Sequence, residues 1–253
     1  MDRKTLKLPF GKESAPDWIC PTCEKGILRI KKNTFHDEEL RHSREAHSHE
    51  DWEPEWIRYV FTCILVCTNE KCKEAVVCTG TGSVDWDIIE DIDGAPDQVY
   101  SDFFIPRHFE PHLRLFSIPD NCPKSVSDLL NESFKLFFSS PNAAANNVRA
   151  AIEELLTELK IKRFSTANGK RRFISLHQRI SLLPAKYAQF KDMILAIKWL
   201  GNAGSHGHAE VTMDDVMDAY ELTEHILEEI YETKSKKLKA IAKKVNKKKG
   251  PSK

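Results

Sequence analysis

A chain of 253 residues, 41% hydrophobic and 30% charged, has the composition of a globular protein with one large or two modest domains, which excludes a disordered or fibrous one. No apolar run approaches the roughly 20 residues of a transmembrane helix, and the start MDRKTLKLPFGKESAP has no signal-peptide hydrophobic stretch. No membrane partner and a cytoplasmic location are therefore expected.

The net charge of zero hides an asymmetry. Residues 234–253 hold ten lysines and no acid, so the remaining chain, with 28 basic and 38 acidic residues, carries −10. Lysine clusters bind phosphates without regard to sequence. RNA or DNA is accordingly the partner expected for the tail, with Lys236, Lys237, Lys243, Lys244, Lys247 and Lys248 as contact candidates. Leu238, Ile241, Ala242 and Val245 fall at helical spacing, so the first half of this tail reads as a basic amphipathic segment, or else as a solvated end.

In chain order, the first chemistry is Cys20-Pro21-Thr22-Cys23 followed by Gly26, a turn that supplies two thiolates, half of a tetrahedral zinc site. The ILRIK that follows reads as a short strand. Cys67 and Cys72 supply the second half, between the strands YVFTCILV and AVVCTGTG. Cys63 competes for the same role, but an extended strand places it about 13 Å from Cys67 at about 3.3 Å per residue, whereas sulfurs on one zinc lie within about 4 Å of each other. Cys63 and Cys78 are thus expected as buried strand residues, and Cys20, Cys23, Cys67 and Cys72 as the ligands of a structural zinc ion with no open coordination position. Knuckle, strands and second knuckle together describe a zinc ribbon.

Residues 33–56 hold His36, His42, His47 and His49 among many acids, with spacing that fits no single helical face; a solvated insert is expected there. The acid-rich TGSVDWDIIEDIDGAPDQ and the proline-punctuated IPRHFEPHLRLFSIPDNCP are expected as an extended connector, ending at an unligated Cys122.

From Lys124 the pattern is helical. PKSVSDLLNESFKLFFSS forms one amphipathic helix. Ser140 caps a second that begins at Pro141 and carries Ala145, Val148, Ile152, Leu155, Leu156 and Leu159 on one stripe. Arg149 falls at the edge of that stripe with Glu153 one turn on, either as a semi-buried polar pair or as a plain surface ion pair. A third helix is expected over 175–183 and a fourth from Pro184. The fifth is announced by a capping box of Thr212 and Asp215 with a Val211/Val216 staple. The basic stretch RFSTANGKRRF, residues 163–173, is expected as a solvated turn or a phosphate site. WLGNAGSHGH, residues 199–208, interrupts the fourth helix with three glycines. It reads as a loop, either a simple helix end at Gly201 or Asn202 or a site in which His206 titrates and Asn202 orients it.

PNAAANNVRAAIEELL, WLGNAGSHGH and DDVMDAYELTEHILEEIYE, preceded by the two cysteine knuckles, resemble the bacterial proteins grouped as domain of unknown function 4145, over most of the chain from Cys20 to Tyr231. The resemblance implies accessory regions of restriction enzymes and proteins near phage-defence genes, and no established activity. The helical part is also similar to the higher eukaryotes and prokaryotes nucleotide-binding (HEPN) domains, many of them metal-independent ribonucleases. Their Arg, polar residue, three further residues and His fall here on Gly201, Asn202 and His206, so the Arg is missing.

The expectation is therefore an α+β chain: a β-rich zinc ribbon with insert and connector over 1–120, an HEPN-like α-helical bundle over 121–233, and a lysine-rich tail over 234–253. Its expected function is that of a non-catalytic binding or regulatory module in nucleic-acid-linked phage defence or restriction, with Arg149, Glu153, Asn202 and His206 as candidate polar site. The alternatives are a ribonuclease using His206 with Arg149, and a structural subunit for which a second copy or a defence-system protein is the partner.

Overall fold

A computed structural model of the chain describes residues 2–90, 96–167, 169–206, 210–231, 241–247 and 249–250. It is α+β, with a curled β-sheet half-barrel first and helices after it. The chain divides into two compact units, one of Met1–Arg114 with Phe134–Ser139, the other of Leu115–Ser133 with Ser140–Lys253.

In the first unit, a short helix α1 (Arg3–Lys7) is capped by the Asp2 carboxylate, which accepts from the Lys4 amide at 3.0 Å. Five strands then form one antiparallel sheet: β1 (Leu28–Ile30), β2 (His36–Glu39), β3 (Arg58–Cys67), β4 (Ala75–Glu90) and β5 (Pro96–Glu110), in the order β1-β3-β4-β5 with β2 also on β3. Alternation along β3 buries Phe61, Cys63, Leu65 and Cys67, the period-2 pattern of a sheet with one face on a core. Phe10, Trp18, Phe61 and Phe104 fill that core. Phe10 meets Trp18 edge-on at 5.2 Å and Phe61 at 5.5 Å, and Phe61 meets Phe104 at 5.2 Å. Each such burial contributes about 1.5–3 kcal/mol, and edge-to-face geometry adds about 0.5–1.5 kcal/mol. Cys63 and Cys78 are direct cross-strand partners and both are buried.

Two expectations for this unit are corrected. Residues 33–56 are not a bare loop: they contain β2, the helix α2 (Arg41–Ala46) and a 3-10 turn, Pro54–Trp56. Glu39 holds the segment together, accepting from Ser43 at 2.5 Å and meeting His47 Nε2 at 2.9 Å, while the buried Ser43 hydroxyl accepts from the Arg58 amide at 3.1 Å. The expected connector is instead the two longest strands of the sheet. β4 and β5 pair from Val77↔Glu110 to Glu90↔Pro96, with a bulge at Thr79/Gly80 opposite Pro106. The prolines are tolerated because β5 is the edge strand.

The second unit contains α3 (Lys124–Leu136) up to Ser133, α4 (Pro141–Glu158), the hairpin β6 (Phe164–Ala167) and β7 (Lys170–Phe173), α5 (Leu176–Ser181), α6 (Lys191–His206) and α7 (Met213–Tyr231). α4 packs on α6 and α7, and α6 on α7. The buried stripe of α4 runs from Ala144 to Leu156, and that of α7 from Val216 to Leu227. Tyr220 is buried between them, its hydroxyl 2.8 Å from Ser133, whose own hydroxyl lies 2.8 Å from the Ala144 carbonyl.

Several expectations change here. Ser140 stands at the N-cap of α4 but makes no side-chain cap bond. Pro184 opens a 3-10 turn, Ala185–Phe190, before α6 begins at Lys191. The basic stretch is the β6–β7 hairpin rather than an irregular turn. The expected loop at Trp199 is helical as far as His206, and the following Gly207 and His208 lie outside the described residues. Residues 241–247 are helical with Ile241 and Val245 exposed. Among the described residues no helix is long and apolar enough to cross a membrane.

Candidate metal centre and polar helix cluster

Cys20 and Cys23 lie on the turn before β1; Cys67 ends β3, and Cys72 lies in the turn leading to β4. The sheet brings them together because Leu28 of β1 pairs with Cys67 of β3. Their four sulfurs lie within 4.8 Å of one another, the single such group among the described residues. Cys20 to Cys72 is 3.8 Å and Cys23 to Cys67 is 3.7 Å. A tetrahedron with metal–sulfur bonds of about 2.3 Å has edges of about 3.8 Å, so the sulfurs stand where one metal ion needs them.

Amide groups face two of the four sulfurs. The Asn69 amide donates to Cys67 Sγ at 3.4 Å and the Asn69 side-chain amide to Cys23 Sγ at 3.6 Å, outer contacts of the kind that orient metal ligands. Amides of Gly26 and Lys25 bring the Cys23 thiol down to about 6, whereas burial pushes Cys67 up to about 12. Gly26 is required here for space: a Cβ would lie 2.5 Å from Cys67 Sγ and 2.9 Å from the Asn69 nitrogen. Cys63 and Cys78 stand apart from the cluster as a buried pair, and the Cys63 thiol together with burial raises Cys78. The insert histidines join no metal-binding group among the described residues; His47 is held by Glu39.

The polar cluster of the helical unit is built on α4. Arg149 and Glu153, four residues apart, form an ion pair with side chains 25% and 26% exposed, so the semi-buried alternative is the one observed. Arg149 also donates from Nη2 to Asn146 Oδ1 at 2.9 Å and from Nε to the same oxygen at 3.2 Å. Its guanidinium is thus held from both sides along its own helix. The stem of Arg149 lies against Gly201 of α6: a Cβ at Gly201 would collide with Arg149 Cβ and lie 3.0 Å from its Cδ. Asn202 follows on α6 and is half-buried. His206 is the last residue of the helix.

Arg179, which no sequence pattern singles out, is the most buried charge of this unit at 1% exposure. It donates to the carbonyls of Glu153 at 2.9 Å and Ile161 at 3.1 Å and to the Thr157 hydroxyl at 3.0 Å, tying α5 to the end of α4. Burial lowers its pKa. A groove of about 550 Å³ between α6 and α7 is lined by Met193, Trp199, Leu200 and Leu222 together with the acidic Asp218 and Glu221. Of the tail lysines, Lys243, Lys244 and Lys247 are exposed, while Lys236, Lys237 and Lys248 lie outside the described residues.

Residues 131–248 match the model of a domain of unknown function, DUF4145, and residues 8–109 match that of another, DUF8608. The family likeness expected to run from Cys20 is therefore divided, and the cysteine knuckles lie in the second of these matches. Among curated proteins and among solved structures nothing matches.

Proposed function

We propose that the chain is a non-catalytic binding module, in which a zinc-ribbon-type unit held by Cys20, Cys23, Cys67 and Cys72 accompanies an HEPN-like helical unit in nucleic-acid-linked defence or restriction. Four thiolates at tetrahedral separations favour zinc, and they fill its coordination shell, which leaves a structural role for the ion. The observation that carries the non-catalytic reading is the state of Arg149. Phosphoryl chemistry without a metal needs a cation free to meet charge developing on the phosphate, and this guanidinium is already neutralised by Glu153 and bonded to Asn146.

A second reading, a ribonuclease using His206 with Arg149, has one observation in its favour. Gly201 stands where the HEPN ribonucleases that the helical part resembles carry their Arg, and the stem of Arg149 lies against it, so α4 brings an arginine to the place that α6 leaves without one. Incubating a mixed-sequence RNA, without divalent cations, with wild type, His206→Ala and Arg149→Ala decides between the two. The binding module leaves the RNA intact in all three. Cleavage by wild type that disappears in both variants would establish the ribonuclease.

A further inference from the structure

We infer that the β6–β7 hairpin is a binding surface for single-stranded nucleic acid, in which Phe173 offers its ring to a base and the surrounding cations hold the phosphates. The inference deepens the binding-module reading by naming a partner, and it rests on that reading.

The sequence around the hairpin is one-sided. From Lys160 to Phe173 there are six cations and no acid. Only Arg163 has an acidic partner among the described residues, Glu154 at 3.7 Å; Lys162, Lys170 and Arg172 are exposed and form no such pair there. A two-stranded ribbon of four residues a side buries too little to need this composition for its own stability.

The register then sorts the side chains. Phe164 is paired with Phe173 and Thr166 with Arg171, so alternation places these four on one face. The two rings meet edge-on at 5.8 Å, and Arg171 lies over Phe164 at 3.6 Å from the ring centre. One face of Phe164 is thereby covered by a guanidinium. Phe173, 58% exposed, keeps an open ring. Apolar surface of this size, ringed by unpaired cations, is costly in water unless a flat, anionic partner covers it. A nucleotide supplies both properties, and only an unpaired base presents its flat face to a ring. Duplex DNA or RNA keeps its bases stacked, which selects the single strand. Lys170 and Arg172, on the other face of a ribbon about 5 Å wide, are long enough to reach round its edge to the backbone.

The test uses the full chain and fluorescently labelled 20-mers of U and dT, with anisotropy followed over a range of salt. Phe173→Ala is expected to weaken binding about tenfold or more at every salt concentration, the loss of one stacked base, while leaving the salt slope unchanged. Phe173→Trp should restore it. Lys170→Ala with Arg172→Ala should lower the log–log salt slope by about 0.7 for each phosphate that is no longer neutralised. The lysine tail is present in every variant and has no ring, so a Phe173 effect belongs to the hairpin. Thermal unfolding that matches wild type verifies that the exposed substitutions leave the fold intact. Equal binding by wild type and Phe173→Ala, no binding by either, or the same Phe173 dependence with a duplex or with polyglutamate would overturn the inference. Recovery of full-length oligonucleotide on a denaturing gel tests the binding-module reading separately, since cleavage would end that reading whatever Phe173 does.

Discussion

A methyl group added to Gly201 would occupy the space held by the Cβ of Arg149 and would lie 3.0 Å from the carbonyl oxygen of Ala145. The glycine is therefore a point of close approach between α6 and α4, and its helix continues through it to His206.

This gives Gly201→Ala a definite sign. In an open helix the change would stabilise by about 1 kcal/mol through propensity. Against α4 it forces the backbones apart, and overpacking of this kind costs about 1–3 kcal/mol. A net loss in urea unfolding is expected, and a gain would mean that the two helices are not in contact there.

The cysteine cluster predicts about one zinc per chain. Cys20→Ser and Cys72→Ser should lose metal and solubility together, because folding and binding are coupled at such sites. Cys78→Ser should keep its metal, since that thiol faces Cys63 across two strands instead. Metal analysis of the purified variants checks the assignment; retention in Cys72→Ser with loss in Cys78→Ser would reverse it.

Arg179→Met should be among the most damaging single changes in the helical unit. It removes donors from two carbonyls and a hydroxyl at the junction of α4 and α5, with an expected cost of roughly 2–4 kcal/mol. Arg179→Lys should recover little of it, because an ammonium cannot span all three acceptors as the planar fork does. Chemical denaturation of both variants reads the difference.

The start of α7 gives a pH test. The Asp215 carboxylate accepts from the Thr212 hydroxyl at 2.7 Å and from its amide at 2.8 Å, and these bonds hold its pKa below the usual 3.8. A depressed carboxylate stabilises the fold above its unfolded value and loses that contribution as pH falls through the folded one. Asp215→Asn should therefore cost about 0.5–2 kcal/mol at neutral pH, the worth of a cap. The gap from wild type should close as pH falls below about 3.9. A gap that persists undiminished at pH 2 would show that charge is not its source.

What is legible in the sequence is whatever near neighbours decide. The cysteine knuckles have their spacing written in a few residues, and the Thr212/Asp215 box is complete within one turn. Segments whose order depends on distant partners are not legible in this way. Residues 33–56 have the polar composition of a loop, and their structure comes from Glu39 receiving Ser43 and His47 and from Ser43 receiving the amide of Arg58. The prolines of β5 argue against a strand in a sheet interior but are harmless on an edge, and the acids of β4 lie beyond Ser83, where β5 is its one paired neighbour among the described strands. Gly201 looks like a helix end because glycine usually is one, and only the presence of Arg149 on another helix explains it otherwise.

The pairing of Leu28 with Cys67 has a consequence for how the sheet finds its alignment. A strand that slips by one position turns every buried side chain outward, and for β3 that would expel Phe61, Cys63 and Leu65 together. The same slip would carry Cys67 about 3.3 Å along the strand, farther than a metal–sulfur bond is long. An ion held by all four sulfurs thus accepts one alignment of β1 against β3 and rejects its neighbours. In this role a metal bound there would act as a proofreader of strand register, during folding as well as in the finished protein.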